Sequence, residues 1–306
     1  MSALSGHVDD YLRLRRALGF KLEREGQWLT QLAAYVDAAG AATLTSDLAV
    51  AWARQRTGAG PNGWAKRLGV VRKFAAFLHT IDPAAEIPPP GVFPAVRHRP
   101  TPYLWSPHDI GRLLDGARAL QSPLRAASHE ALFGLLASSG MRIGEAVALH
   151  NGDVDLGAGV ITIRHAKFDR SRLLPLHRSV TEALGRYEAE RDRLCPRPPS
   201  GAFFVSATGT SLNRSSVGKT LRTITTTMGI RTETIHPRVH DLRHSFAVRT
   251  LIDWQRAGIR IDERIGILST YLGHISPADT YWYLSASPEL MELAAERLDA
   301  HFGAGR

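Results

Sequence analysis

Residues 83–102 read PAAEIPPPGVFPAVRHRPTP and hold seven of the 17 prolines in this 306-residue chain. Proline fixes φ and removes a backbone donor, so the stretch can be neither helix interior nor central strand. Whatever cores the chain builds must therefore form on either side of it. We expect a helical domain over residues 1–82, an extended linker over 83–102 and a second domain over 103–306. The length suffices for two cores of ordinary size.

On the amino-terminal side, apolar periodicity predicts helices near 5–18, 27–39, 46–57 and 63–79, broken by Gly26, Gly40 and the GAGPNG run at 58–63. In the last of these, Leu68, Val71, Phe74, Ala75 and Leu78 form an apolar stripe, with Lys66, Arg67, Arg72 and Lys73 largely off it. A helix with one greasy and one basic face can lie on a phosphate backbone, so these four are candidate DNA contacts.

Beyond the prolines, Ser106 is a natural N-cap for SPHDIGRLLDGARAL, and helices are expected over 129–138 and 142–150. The period then changes. GVITIRHAKFDRSRLLPLH carries two β-rich runs, 160–165 and 172–176, around a polar turn, which predicts a hairpin. Helices resume near 179–193, 213–227, 240–257, 262–272 and 276–284, with a short apolar run, FFV, at 203–205. Residues 287–302 close the chain as an amphipathic helix with Leu290, Leu293, Ala294 and Leu298 in register. The expected fold class is mainly α with a small antiparallel β-sheet (α+β).

Net charge is +9, with 13 Lys+Arg against 8 Asp+Glu in residues 1–100 and 25 against 21 in the rest. That excess points to a polyanionic partner, nucleic acid before membrane, because no basic amphipathic anchor stands out. No apolar run reaches the ~18 residues of a membrane span, and Asp9 and Asp10 stand where a signal peptide needs an apolar stretch. A single cysteine, Cys195, fits a reducing cytoplasm.

Two signals mislead. NRSSVGKT at 213–220 resembles a phosphate-binding loop, but Asn213 occupies the place of its first glycine and no strong strand leads into it. His236, His240 and His244 are spaced by four as zinc ligands would be; Pro237, however, makes the first pre-helical, and no HExxH carboxylate follows. No metal ligand is assigned.

A dispersed constellation carries more. SSGMRIGEAVAL puts Arg142 at a helix start with Glu145 three residues on; VHDLRHSFA supplies His240 and Arg243 on one helical face. LSTYLGHISPADTYWYL gives His274, with Tyr283 nine residues later, and Lys167 sits at the hairpin turn. Each has a bland reading: a helical ion pair for Arg142 and Glu145, a packed ring for His240, a solvated turn charge for Lys167. Their order along the chain is what the bland readings leave unexplained.

That order resembles the tyrosine recombinase (phage integrase) family, whose signature is an R-x-x-E helix, a hairpin Lys, an H-x-x-R helix, an L-G-H and a Tyr nine residues after that His. All five elements stand in order across 142–283. The resemblance implies a two-domain DNA clamp, with a helical core-binding (SAM-like) domain before the prolines and a catalytic domain after them. It implies a site-specific DNA recombinase, four protomers acting on two duplexes, with sister recombinases or accessory proteins as further partners. The ending YLSASPELM resembles recombinases carried by transposon-like elements.

The implied chemistry suits these residue types. Attack on a phosphodiester by a phenol, of ordinary pKa ~10, builds charge on the non-bridging oxygens. Two guanidinium forks, Arg142 and Arg243, can bind that charge without changing protonation. By resemblance Lys167 protonates the leaving 5′-oxygen, His240 accepts the phenol proton, His274 donates to the phosphate, and Glu145 supports Arg142. Tyr283 is the nucleophile of a 3′-phosphotyrosyl intermediate, so neither ATP nor a metal nor any other cofactor is implied. Tyr281 lies about 200° away from it on a helix and, with Trp282, is expected to pack the segment against the domain.

The Arg243–His274 interval is longer than the compact family spacing, which predicts an added turn or a longer loop. Two other readings compete: a type IB topoisomerase, relaxing DNA as a monomer, and a DNA-binding regulator with a dead site. The L-G-H motif and the short helical first domain favour the recombinase over the first. A pure binder would have no use for Lys167 or Tyr283. The 287–302 helix is expected to dock on a neighbouring protomer, with packing on its own domain as the alternative.

Overall fold

The computed structural model describes residues 3–55, 58, 60–94, 101–166, 170–274, 276, 278–285, 289–292 and 295. The chain divides into two compact units, residues 1–99 and 100–306. In the first, four helices pack together: α1 (Ala3–Ala17), α2 (Glu23–Ala38), α3 (Ser46–Arg54) and α4 (Pro61–Leu78). The Thr45 hydroxyl caps α3 by accepting from the Leu48 N–H, and Pro61 opens α4 where a missing donor costs nothing. Leu29, Leu32, Trp52, Leu68, Val71, Phe74 and Leu78 fill the core, so the apolar stripe expected on α4 faces inward.

The basic face expected on α4 is only half there. Arg67 stands one turn before Val71 and so falls on the stripe itself; it is 6% exposed, its guanidinium 3.7 Å above the Trp52 ring. Arg72 sits beside Ala75 and Leu68 and sends its fork to the carbonyls of Pro88 and Pro89, at 2.8 and 2.7 Å. Lys66 and Lys73 remain on the outer surface.

Those bonds correct the expected linker too. Much of the proline segment folds onto the first unit: Ala85 and Phe93 are buried in its core, and the Phe93 ring lies 5.7 Å from Trp64. The Glu86 N–H donates to the Leu44 carbonyl, and the Glu86 carboxylate accepts from the Ser46 N–H, both at 2.8 Å. Prolines lack donors but keep their carbonyls, which Arg72 uses; burying one Phe side chain adds about 2 kcal/mol.

The second unit opens with α5 (Pro107–Arg118), capped by the Ser106 hydroxyl as expected, and α6 (Pro123–Ser139), followed by the single turn α7 (Ile143–Ala146). A three-stranded antiparallel sheet follows in the order β1 (Val154–Asp155), β2 (Val160–Ala166), β3 (Arg170–Pro175). Its register pairs Ile161 with Leu174 and Ile163 with Arg172. Ile161, Ile163 and Leu174 are buried while Leu173 is exposed, the alternation of a half-buried hairpin. Helices α8 (Arg178–Leu194), α9 (Arg214–Thr227), α10 (Val239–Arg256) and α11 (Ile261–Leu272) complete the frame. Inside it Phe204 stacks on Tyr187 of α8 and Phe203 meets that ring edge-on. They join the chain by isolated bridges at Ala202 and Val205 and form no strand. No helix among the described residues is long and apolar enough to cross a membrane.

Other departures have local causes. The helix expected over 142–150 stops at Ala146, because the Asp153 carboxylate accepts from the His150 N–H and starts a fresh turn. The segment expected as one helix over 276–284 is a turn, α12 (Ala278–Tyr281), then a 3₁₀ helix, Trp282–Ser285. The long Arg243–His274 interval is spent on the lengths of α10 and α11, joined at Gly258 with φ +74°. Of the expected 287–302 helix only 289–292 and 295 are described; Leu290 is buried against α10 and α11, and Glu289 pairs with Arg256 at 2.6 Å.

Candidate active site

Helix α6 ends at Gly140, whose φ of +60° places it in the left-handed region; a Cβ there would stand 2.5 Å from Phe246. This stop delivers Arg142 to the N-cap of α7. One Arg142 nitrogen donates to Glu145 at 2.9 Å and the other to the Gly273 carbonyl at 2.8 Å. Glu145 also accepts from the Arg142 N–H and, through both oxygens, from the fork of Arg172 at 3.0 and 2.9 Å. Burial alone would raise the Glu145 carboxyl, but the bonds and charge of Arg172, then of Arg142, hold it below the usual range.

Arg243, two per cent exposed, reaches across from α10. It donates to the carbonyls of Gly140 at 2.8 Å and Leu272 at 2.9 Å. Burial, then the neighbouring charge of Arg142, lowers its pKa to about 10, while nearby Tyr283 acts the other way. A guanidinium has five N–H donors. Arg142 and Arg243 each tie two of them to the protein, which fixes their planes and leaves the remaining edge for a ligand.

Gly273, of L-G-H, ends α11 at φ +67°, and a Cβ on it would fall 2.6 Å from the Arg172 guanidinium. The next residue, His274, holds its Nδ1 2.7 Å from the hydroxyl of buried Thr280. Burial, then Arg243 and Arg142, lowers its pKa to about 4, so the ring is neutral at pH 7. His240, at the start of α10 and open to solvent on one side, is also shifted down, first by desolvation and then by Arg243.

Tyr283 is 3% exposed and stacks on His274 with ring centroids 5.9 Å apart. His244 meets it edge-on, 5.3 Å from Tyr283 and 4.6 Å from His240, with Trp282 against both His244 and Tyr283. The two tyrosines do point apart, but Tyr281 does not pack the segment. At 48% exposure it faces solvent, because the short turn of α12 ends there; Trp282 alone does the packing.

Arg142, Glu145, Arg243, His274 and Tyr283 therefore converge, with His240 at the edge. Lys167 lies outside the described residues. Sequence reasoning missed Arg172 and His244. Arg172 was detectable: it sits two residues before Leu174 and so shares the inward face of β3, an unusual place for a cation. His244, read as a zinc decoy, is a ring in the stack, and among the described residues no three metal-ligating side chains converge.

What the arrangement offers is a buried phenol beside two backbone-anchored guanidiniums and two neutral imidazoles, a set suited to phosphate oxygens and a proton transfer. The phage integrase family matches residues 106–289, a span that includes every residue of the constellation. A putative integrase/recombinase of Sinorhizobium fredii, y4rB, is 41% identical over 307 residues, 98% of each chain. Tyrosine recombinase XerC of Azotobacter vinelandii is 30% identical over 237 residues, 78% of this chain and 73% of its own. Among solved structures, the XerH site-specific recombinase in a post-cleavage complex with a palindromic difH substrate aligns with a TM-score of 0.65 at 19% identity, covering 96% of this chain and 84% of that one. The Tn1549 transposon integrase with circular intermediate DNA gives 0.65 at 16% identity, covering 96% and 99%. The chain thus belongs to the phage integrase family, the tyrosine recombinases, enzymes that act on DNA.

Proposed function

We propose that the protein is a site-specific recombinase that cuts duplex DNA with Tyr283, holds the strand as a 3′-phosphotyrosyl ester and passes it to the 5′-hydroxyl of a partner strand. The observation that carries this reading is the buried Tyr283 ring, stacked on His274 in the cluster that holds Arg243, an arginine whose own position is fixed by two main-chain carbonyls.

In the cleavage step the Tyr283 oxygen bonds to phosphorus and the bond from phosphorus to the 5′-oxygen breaks. The phenol proton passes to His240, whose lowered pKa keeps a lone pair free at neutral pH. Lys167 gives the departing oxygen its proton. Arg142 and Arg243 bind the charge that grows on the non-bridging oxygens, and His274 donates a ring N–H to one of them. The phosphodiester energy stays in the ester, so the reverse step needs no ATP. At 3% exposure Tyr283 is closed to a phosphate in this conformation, so attack requires the 3₁₀ segment 282–285 to open. Such segments are held by poorer hydrogen bonds than an α-helix.

A second recess supports duplex DNA as the partner. Arg214, Lys219 and Arg222 of α9, with Arg231 and Arg238, line an open hollow of about 590 Å³. Arg214 lies over Gly144, two residues from Arg142, and Arg238 stands two residues before His240, so the hollow borders the candidate site. Five cations around one hollow, of which Arg238 is paired with Asp241, suit a phosphate backbone. The enzyme would work in the cytoplasm as a clamp of two domains, four protomers holding two duplexes.

The test uses duplexes taken from the DNA flanking the gene, nicked near candidate sites so that cleavage becomes irreversible. Incubated in EDTA, they should trap a covalent adduct that mass spectrometry maps to Tyr283. An adduct on another residue, or none despite tight salt-sensitive binding, would sink the assignment and leave a DNA-binding regulator.

A further inference from the structure

Among the described residues between His274 and Tyr283, Thr280 of α12 is the one fully buried polar side chain, at 0% exposure. Its hydroxyl lies 2.7 Å from Nδ1 of His274, and this is its one hydrogen bond among the described residues. Helical threonines elsewhere in the second unit behave differently. Thr225, Thr250 and Thr270 each return the hydroxyl to the carbonyl four residues back, at 2.9, 2.9 and 3.0 Å. For Thr280 that carbonyl would be the one of Ser276, which precedes the start of α12, so the hydroxyl is left for His274.

We infer that Thr280 is a positioning residue for strand cleavage: its hydroxyl donates to Nδ1 of His274 and so holds the ring proton on Nε2, as a donor toward the phosphate. This assignment deepens the recombinase reading proposed above and rests on it for the phosphate. The choice follows from counting protons. A hydroxyl has one proton and two lone pairs, and a neutral imidazole has one N–H and one bare nitrogen. Burial and the two guanidiniums keep His274 neutral at pH 7, so one of its nitrogens is bare. If Nδ1 carried the proton it would donate to Thr280, and the Thr280 proton would be left in a dry place with no acceptor, which buried donors avoid. With Nδ1 bare, the hydroxyl proton is spent on it, and Nε2–H remains as the donor for a ligand.

The surroundings give that bond its work. Stacking on Tyr283, with ring planes 23° apart, restrains the tilt of the His274 ring. It does not restrain a half-turn of the ring within its own plane direction, which exchanges a nitrogen for a carbon and which only a polar partner can fix. Thr280 also lies in the turn before the 3₁₀ segment 282–285, so it can stay on His274 while Tyr283 moves out to attack. The two histidines then divide the chemistry. His274 has Nδ1 occupied and Nε2 already protonated, so it cannot take the phenol proton, and that proton falls to His240.

The experiment uses the full chain labelled with nitrogen-15 at histidine and reads the two His274 nitrogens by NMR at neutral pH, the signals being identified by their loss in His274→Asn. The wild type should show a protonated Nε2 and a bare Nδ1. Two variants then separate hydroxyl from shape: Thr280→Val keeps the branched side chain and removes the hydroxyl, while Thr280→Ser keeps the hydroxyl and removes the methyl. Thr280→Val should mix the tautomers and slow single-turnover cleavage roughly ten- to a hundredfold with DNA affinity unchanged, a smaller loss than removing the donor outright. Thr280→Ser should restore both the spectrum and the rate. A role in packing alone predicts the reverse order, with Thr280→Val near the wild type and Thr280→Ser impaired. Thr280→Val cleaving as the wild type does, Thr280→Ser failing as Thr280→Val does, or a wild-type His274 with its proton on Nδ1 would overturn the inference. Should Thr280→Val not fold, the wild-type spectrum and Thr280→Ser still decide. The spectra need no DNA, so failure of the recombinase reading is separate: it would show as the absence of a Tyr283 adduct in the wild type.

Discussion

Exchanging Tyr283 for Phe removes one oxygen from a packed ring and leaves the stack with His244 and His274 in place. Tyr283→Phe should therefore bind DNA and form no adduct, whereas Tyr281→Phe should cleave at the wild-type rate; denaturing gels read both. Arg243→Lys keeps the charge but loses the fork that spans Gly140 and Leu272. Its cleavage rate should fall on the order of 10²–10³, measured in single turnover. His274 carries a stability consequence. Its pKa drops from an ordinary 6.5 to about 4 on folding, so between those values the unfolded chain binds a proton that the folded chain refuses. The stabilisation is whole above pH 6.5 and drains away as pH falls toward 4. Melting temperatures across that window should decline less steeply for His274→Asn than for the wild type.

At the scale of elements, the hairpin, α7 and the end of α11 are tied at one point, the pair Glu145–Arg172, with side chains 11% and 15% exposed. Arg172→Ala would leave that carboxylate with Arg142 alone, and stability should fall by about 3 kcal/mol. Cleavage should fall with it, because Arg142 shares the same carboxylate; thermal melts and single-turnover rates check the two effects. Most of the helical frame was legible from the apolar period, and the hairpin from its β-rich runs. That Arg142, Glu145, Arg243, His274 and Tyr283 belong together was suggested by their order along the chain and its resemblance to a family signature, and the structure brings these five side chains to one place. What was not legible depends on partners distant in sequence. Nothing local shows that Arg72 grasps Pro88 and Pro89, that Arg67 settles on Trp52, or that Phe93 joins a core built by residues 4–78. The 3₁₀ turn around Tyr283 was hidden for the same reason, since rings of α10 pack against it, whereas the early stop of α7 has a nearer cause in the Asp153 carboxylate that starts the next turn.

At the scale of the molecule, affinity and assembly can be separated. Lys219→Ala with Arg222→Ala should lower the dependence of log K on log salt by about 2, one for each phosphate left without its cation. Removing residues 293–306 leaves Leu290 in its own domain's core. The shortened chain should fold and cleave a single site but fail to pair two duplexes, which gel mobility of the complexes would show; unimpaired pairing would place the tail on its own protomer. The hold on the two arginines also bears on how such a chain can age. Three of their four protein acceptors are main-chain oxygens, of Gly140, Leu272 and Gly273. No codon change deletes a carbonyl. Lineages descending from such an ancestor are free to rewrite most of their side chains, and the few letters they must keep are those that let the backbone bend where those oxygens turn inward.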